Sequence, residues 1–105
     1  MGERVRLCDV ADLDPNTVRR FDVGPHRIAL IRIDDDFYAI GDRCSHEDYS
    51  LSEGELYAED REIECWKHGS TFSVETGEPL CLPATKPVPT YGVEREGDSV
   101  MVVLP

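Results

Sequence analysis

The sequence is poor in basic residues and in histidine, and it has no long apolar run. Eleven Lys and Arg stand against 22 Asp and Glu, which gives a net charge of −11, and there are three histidines. Nucleic-acid backbones and anionic membrane surfaces are both bound by clustered Lys and Arg, so we expect neither as a partner. The apolar stretch near the end, VMVVLP, is too short to cross a bilayer.

The opening residues, MGERVRLCDV, contain no apolar segment, so we expect no secretory signal. We therefore expect a cytoplasmic protein, in which cysteines are metal ligands or free thiols more often than disulfides. With 105 residues, 40% of them hydrophobic, the chain is long enough for one core and too short for two. This predicts a single domain over residues 1–105.

The hydrophobic pattern contains no helical period of useful length. Short strand-like runs separated by turn residues predict an all-β fold instead. The runs are RVRLCDV, VRRFDV, a hairpin from HRIALIRI to FYAI, EIEC, STFSV, and a last hairpin from TYGVERE to SVMVVL. One helical turn is predicted at residues 11–13. Residues 41–87 are richer in Ser, Gly, Pro and His than their flanks, so we expect a small subdomain inserted into an antiparallel β-sandwich or barrel.

Two short motifs each combine a cysteine with a histidine. They are CSH at 44–46 and CWKH at 65–68, separated by eighteen residues. A zinc finger usually groups its two cysteines in one half, and a plant-type ferredoxin needs four closely spaced thiolates. One thiolate and one imidazole in each half fit a Rieske [2Fe–2S] centre, where two cysteines hold one iron and two histidines hold the other.

The segment CSHEDYSLSEGEL…IECWKHGSTFSVETGEP resembles the cluster-binding segment of Rieske-type ferredoxins. These are small carriers that serve bacterial aromatic-ring dioxygenases and related non-haem iron oxygenases. The similarity includes LSEG and TGEP and covers nearly the whole chain. It implies the Rieske fold, a small cluster-binding β-subdomain on a larger antiparallel base. It assigns Cys44 and Cys65 to the buried iron of a [2Fe–2S] cluster, one per chain, and His46 and His68 to the outer iron.

The resemblance also implies a one-electron carrier between a reductase and a terminal oxygenase, with transient contacts to both. We do not expect an enzyme. A Rieske oxygenase needs a further iron site of two histidines and a carboxylate, and only His26 remains for it. The sequence contains no G-x-G-x-x-G or P-loop motif.

Three alternatives stay open at this point. The small subunit of nitrite reductase is a similar domain, although many such subunits lack the ligands that are intact here. A carrier tied to iron–sulfur assembly or redox sensing would have the same motifs. A binding module without redox activity would hold a structural zinc in the same four ligands, since tetrahedral sites with two Cys and two His are chemically satisfactory.

The resemblance further predicts a reduction potential in the lower part of the Rieske range. High-potential family members have two extra cysteines that form a disulfide, and those positions here are Tyr49 and Lys67. Such members also have a Ser and a Tyr whose hydroxyls donate hydrogen bonds to cluster sulfurs. Ser70 is retained, but Phe72 replaces the Tyr, so one donor is lost. Hydrogen bonds to sulfur raise the potential.

Two further residues are candidates for the surroundings of the cluster. Trp66 is expected to shield it from water, or else to form a docking surface with Lys67. Pro83 lies in CLPATKPVP, which either closes over the cluster as a third loop or is a rigid connection.

The remaining candidates are predicted to be structural. They are His26 at a strand start, Cys8 within a strand, Cys81 as a packed residue, and the DDD at 34–36 as a solvated hairpin turn.

Overall fold

The computed structural model describes residues 2–44, 49–67, 69–81 and 84–104. Within these ranges the chain forms nine β-strands, two 3-10 helices and no α-helix, which confirms the all-β prediction. The 3-10 helices are Val10–Asp12 and Leu51–Glu53. The strands are β1 (Glu3–Asp9), β2 (Thr17–Val23), β3 (His26–Ile33), β4 (Asp36–Gly41), β5 (Glu55–Tyr57), β6 (Glu62–Glu64), β7 (Thr71–Ser73), β8 (Thr90–Glu96) and β9 (Ser99–Leu104).

The larger sheet is antiparallel, and its strand order is β1-β9-β8-β4-β3-β2 among the described strands. Strands β4 and β8 are paired over only two residues each, Ala39 with Tyr91 and Ile40 with Thr90. The sheet therefore divides into two three-stranded halves. Both halves contribute to one core, whose buried members are Cys8, Leu13, Ile28, Leu30, Ala39, Val100, Val102 and Leu104.

Strand β3 is buried on both faces. Ile28 and Leu30 point into the core between the halves of the large sheet, whereas Ala29 and Ile31 belong to a second core on the opposite face. Successive side chains of a strand point to opposite faces, so a continuous apolar run is what a strand between two cores requires. The sequence ALI at 29–31 meets this requirement.

The second core joins β3 and β4 to a small antiparallel sheet, β5-β6-β7. All three of its strands come from the part of the chain between β4 and β8. The largest fully buried side chains of this second core include Leu51, Ile63, Phe72 and Val74. The fold thus places a small sheet against one face of a larger base. The subdomain bounds of 41 and 87, and the single domain over residues 1–105, remain predictions.

The LSEG motif ends in Gly54 and the TGEP motif contains Gly77, and the packing requires a glycine at both positions. A Cβ on Gly54 would lie 1.7 Å from the carbonyl oxygen of Glu64 in β6. Gly77 has a φ of +76°, and a Cβ there would lie 2.3 Å from the carbonyl oxygen of Val88. These close backbone approaches explain why side chains are excluded at both positions.

Both predicted hairpins are confirmed, since β3 pairs with β4 and β8 pairs with β9. The first helical turn begins one residue before the predicted position. The second 3-10 helix and β5 were not predicted, because each has only three residues and shows no periodic pattern. Among the described residues, no helix is both long enough and apolar enough to cross a membrane.

Candidate metal centre

The two motif cysteines are fully buried and belong to the same core, the one beneath the small sheet. Cys44 lies three residues beyond the end of β4, and Cys65 follows β6 directly. Neither forms a disulfide bond. Two thiols placed together in an apolar core, without a disulfide between them, match the soft donors that an iron–sulfur cluster takes from its protein.

The residues on either side of the first loop, 42–44 and 49–51, are paired antiparallel. The carbonyl oxygen of Asp42 accepts a hydrogen bond from the N–H of Leu51 at 2.6 Å, and Arg43 forms a bridge with Ser50. One step further along, the N–H of Cys44 donates to the carbonyl oxygen of Tyr49 at 2.9 Å. Cys44 therefore occupies the closed base of the loop. His46 lies outside the described residues.

The second motif lies in the loop between β6 and β7. The N–H of Cys65 donates to the carbonyl oxygen of Ser70 at 2.7 Å, and its own carbonyl accepts from the N–H of Gly69 at 3.0 Å. Gly69 has a φ of +75°, a conformation that glycine adopts without strain. Cys65 thus stands at the base of this loop as Cys44 does in the first. His68 lies outside the described residues.

The chain is similar to known iron–sulfur proteins over nearly its whole length. The family described as the Rieske [2Fe–2S] domain matches residues 3–92. The chain belongs to this family. The ferredoxin subunit of 3-phenylpropionate/cinnamic acid dioxygenase from Escherichia coli K12 is 45% identical to it over 102 residues, which are 97% of this chain and 94% of the relative.

Solved structures agree with this. The ferredoxin of carbazole 1,9a-dioxygenase from Nocardioides aromaticivorans IC177 is 36% identical, with a TM-score of 0.94, over 97% of this chain and 98% of its own. A chain in the complex of reduced oxygenase and oxidized ferredoxin of carbazole 1,9a-dioxygenase is 40% identical, with a TM-score of 0.87, over 94% and 91%. The Rieske fold, the [2Fe–2S] cofactor and the role of an electron carrier, as opposed to a catalyst, are confirmed.

The ligand set of this Rieske domain stays a prediction. Within the described part of the chain, no group of three or more Cys, His, Asp or Glu is placed to hold a metal ion. Two of the four predicted ligands lie outside that part.

A third segment is attached to the second loop of the Rieske domain. Ser70 is fully buried, and its Oγ accepts a hydrogen bond from the N–H of Ala84 at 3.1 Å. The Sγ of Cys81 lies 3.3 Å from the N–H nitrogen of Thr71 and 3.4 Å from the carbonyl oxygen of Gly69. The start of the Pro-rich segment at 81–89 is thus held against this loop. Pro83 lies outside the described residues.

The predicted packing of Cys81 is wrong, because the side chain is exposed. Its sulfur hydrogen-bonds to the backbone of the second loop at the surface of the protein. Cys8, in contrast, is buried within β1 as predicted, and this burial raises the pKa of its thiol.

The other residues predicted to be structural take ordinary places in the base. His26 begins β3, and its Nδ1 lies 3.3 Å from the hydroxyl of Tyr91. Asp34 and Asp35 form the turn into β4, which Asp36 begins, and the side chain of Asp35 is 89% exposed. This is the solvated hairpin turn that was expected.

Phe72 and Trp66 have opposite environments. Phe72 is fully buried in β7, in the same core as the two motif cysteines. Trp66 is 51% exposed, and its ring packs edge to face with Tyr49, while the Lys67 ammonium lies 6.0 Å from the ring centroid. Trp66 therefore covers part of the surface next to Cys65 and leaves about half of its own area open to solvent.

Proposed function

We propose that this Rieske domain is a ferredoxin that passes single electrons from a reductase to a terminal non-haem iron oxygenase. Its proposed cluster ligands are Cys44, His46, Cys65 and His68. The observation that carries the assignment is the burial of Cys44 and Cys65 in one core, each at the closed base of a loop. The relatives named above support the oxygenase partner, because they are ferredoxin subunits of dioxygenases.

The bound cluster supplies a one-electron redox couple. Cys44 and Cys65 would hold one iron, and the apolar side chains of the core around them would exclude water from their sulfurs. His46 and His68, the histidines of the two motifs, would hold the other iron. Two neutral imidazoles in place of two thiolates make the site less negative, which favours acceptance of an electron.

The partners are proposed to be proteins that bind transiently in the cytoplasm. A net charge of −11 accelerates the encounter with partners that present basic surfaces. The same charge disfavours nucleic acid and anionic membranes. Phe72, which has no hydroxyl, supports a potential in the lower part of the Rieske range.

The other roles have weaker support. Two solved proteins described as small subunits of nitrite reductase are 23% and 17% identical, which is evidence for the fold alone. No specific observation favours iron–sulfur assembly or redox sensing. A structural zinc site in the same ligands would contain one metal and no sulfide, so metal and sulfide analysis distinguishes it from the cluster.

Iron and acid-labile sulfide analysis of the anaerobically purified protein tests the proposal. We expect two irons and two sulfides per chain. Substitution of Cys44→Ser or Cys65→Ser should remove the cluster, whereas the matched controls Cys8→Ser and Cys81→Ser should retain it. One zinc per chain without sulfide would contradict the proposal, as would full cluster content in the Cys44 and Cys65 variants.

Transfer to an oxygenase is a separate test. The chemically reduced protein is mixed anaerobically with the oxidised terminal oxygenase of the 3-phenylpropionate/cinnamic acid dioxygenase system, and oxidation of the ferredoxin is followed by absorbance. We expect oxidation to accelerate with oxygenase concentration and to slow as salt increases, because salt screens attraction between exposed charges. A rate that does not depend on the oxygenase would contradict this pairing.

A further inference from the structure

Asp42 is a fully buried acidic residue, and it lies two positions before Cys44. Both of its carboxyl oxygens have partners. Oδ1 accepts a hydrogen bond from the N–H of Ser52 at 2.8 Å, and Oδ2 accepts one from the hydroxyl of Ser50. The residue belongs to neither of the two Cys–His motifs.

The contacts of Asp42 extend in two directions. On one side the hydroxyls of Ser50 and Ser52 are 2.8 Å apart, so the Ser52 hydroxyl can donate to Ser50 while Ser50 donates to Asp42. On the other side the Nε of Arg20, in β2, lies 3.7 Å from Oδ2. Arg20 also forms an exposed ion pair with Asp22. The carboxyl group thus connects β2 of the base sheet to residues 50–52, at the start of the second 3-10 helix.

The backbone of Asp42 adds to this connection. Its N–H donates to the carbonyl oxygen of Arg27 at 2.9 Å, and its carbonyl accepts from Leu51 at 2.6 Å. Residue 42 is therefore bound to residues 50–52 by both main-chain and side-chain hydrogen bonds. The next main-chain hydrogen bond toward the loop is the one from Cys44 to Tyr49.

We infer that Asp42 is a positioning residue, which fixes the base of the first loop so that Cys44 and His46 meet the cluster in one arrangement. The inference rests on the proposed function, because it needs these two residues to be ligands. The action of Asp42 passes through the backbone of residues 42–44 and 49–52.

Stability alone does not account for a carboxyl group at this place. Removal of a charged group from water is costly, and well-packed apolar residues often stabilise a core equally well. A carboxylate with both oxygens engaged has one value that an apolar side chain lacks, since its hydrogen bonds define the spacing and angle of the segments they join. Loops that hold a metal centre depend on such support.

The test compares two variants of this network with two matched controls, all purified anaerobically. Asp42→Asn keeps the shape of the side chain but replaces one acceptor by a donor, and Ser50→Ala removes only the hydroxyl that donates to Asp42. Asp22→Asn removes an equal charge next to the same Arg20 without touching the loop. Val102→Ala creates a cavity in the core between the sheet halves and lowers stability far from the loop.

Three quantities are measured for each protein: the midpoint of thermal unfolding, the rate of cluster loss to an iron chelator well below that midpoint, and the EPR spectrum of the reduced state. We expect Asp42→Asn to lose its cluster roughly tenfold faster than wild type, at the lower end of the effect that supporting groups have on metal sites. Ser50→Ala should change the rate in the same direction by a smaller factor. Both should shift or broaden the EPR lines, whereas Val102→Ala should lower the midpoint and leave rate and lines unchanged.

The outcomes separate the two claims. If wild type carries no Rieske cluster, the proposed function fails and this inference fails with it. If wild type carries the cluster but Asp42→Asn and Ser50→Ala match Asp22→Asn and Val102→Ala in rate and spectrum, only the role of Asp42 is overturned. Should Asp42→Asn not fold, the Ser50→Ala comparison decides the question alone.

Discussion

The rings of Tyr49 and Trp66 meet edge to face, with centroids 5.1 Å apart and planes at 84°. Tyr49 closes the first loop through its bond to Cys44, and Trp66 follows Cys65 in the second. The contact therefore joins the two loops. By resemblance, Tyr49 occupies one of the two positions that form a disulfide in high-potential family members. Here the two loops are linked by aromatic packing instead.

We expect this ring contact to stabilise the paired loops. A double-mutant cycle of Tyr49→Ala and Trp66→Ala should give a coupling free energy of about 0.5–1.5 kcal/mol, because edge-to-face pairs contribute this much beyond their buried area. The cycle is measured by denaturant unfolding of the cluster-loaded proteins, followed by absorbance. If the loss of unfolding free energy in the double variant equals the sum of the two single losses within error, the two rings act independently.

Restoring the missing hydroxyl at position 72 should raise the reduction potential. A hydrogen bond worth about 1 kcal/mol corresponds to about 40 mV for a one-electron couple, so Phe72→Tyr is expected to raise it by tens of millivolts. Ser70→Ala, which removes the retained hydroxyl, should lower it. Both are measured by anaerobic redox titration. A Phe72→Tyr potential equal to or below that of wild type would contradict the reasoning.

The exposed and the buried cysteines outside the motifs should differ in reactivity. Cys81 is exposed and should be alkylated by iodoacetamide in the folded protein, whereas Cys8 should react only after unfolding. Peptide mass spectrometry of wild type distinguishes the two sites. Modification of Cys8 at the same rate as Cys81 would show that β1 opens readily.

Cys8 also predicts a dependence of stability on alkaline pH. Burial raises the pKa of its thiol above the ordinary value of 9.0, so above pH 9.0 the unfolded chain releases a proton that the folded chain retains. The contribution of the protonated Cys8 thiol to the free energy of unfolding is complete below pH 9.0 and is lost as the pH rises through the raised pKa. The stability difference between wild type and Cys8→Ala should therefore narrow above pH 9.0. A constant difference between pH 8 and about 10.5 would contradict this sign.

Gly54 should tolerate no side chain. A Cβ there would lie 1.7 Å from the carbonyl oxygen of Glu64, so Gly54→Ala must displace β5 from β6. Gly24 is the matched control, because a Cβ there meets nothing within 4 Å and only its φ of +57° is unfavourable. We expect Gly24→Ala to lower the free energy of unfolding by about 1 kcal/mol and Gly54→Ala to lower it by clearly more. Equal losses would show that the strands separate without cost.

The hairpins of the base were predictable because their signals are local. Alternating or continuous apolar residues on either side of a turn identify β3 with β4 and β8 with β9. The Rieske family was also predictable, since the spacing of each cysteine to its histidine is read directly from the sequence, whereas the assignment of these cysteines as cluster ligands stays a prediction.

The network of Asp42 and the place of Cys81 were not predictable in this way. Asp42 depends on Arg20 in another strand and on Ser50 and Ser52 across a loop. In the sequence Asp42 cannot be told from the many acidic residues that are exposed to solvent, because its partners become neighbours only in the folded protein. Cys81 was expected to pack because cysteine is usually buried. Its backbone partners in the second loop become neighbours only through tertiary structure.

The central claim is that Cys44 and Cys65, with His46 and His68, hold a Rieske cluster that carries one electron. The most direct test is the EPR spectrum of the anaerobically purified protein before and after dithionite, with the absorption spectrum recorded alongside. The account predicts a brown, EPR-silent oxidised protein that bleaches on reduction and then gives a signal whose average g lies below that of the free electron. A colourless protein that contains one zinc and gives no signal in either state would contradict it.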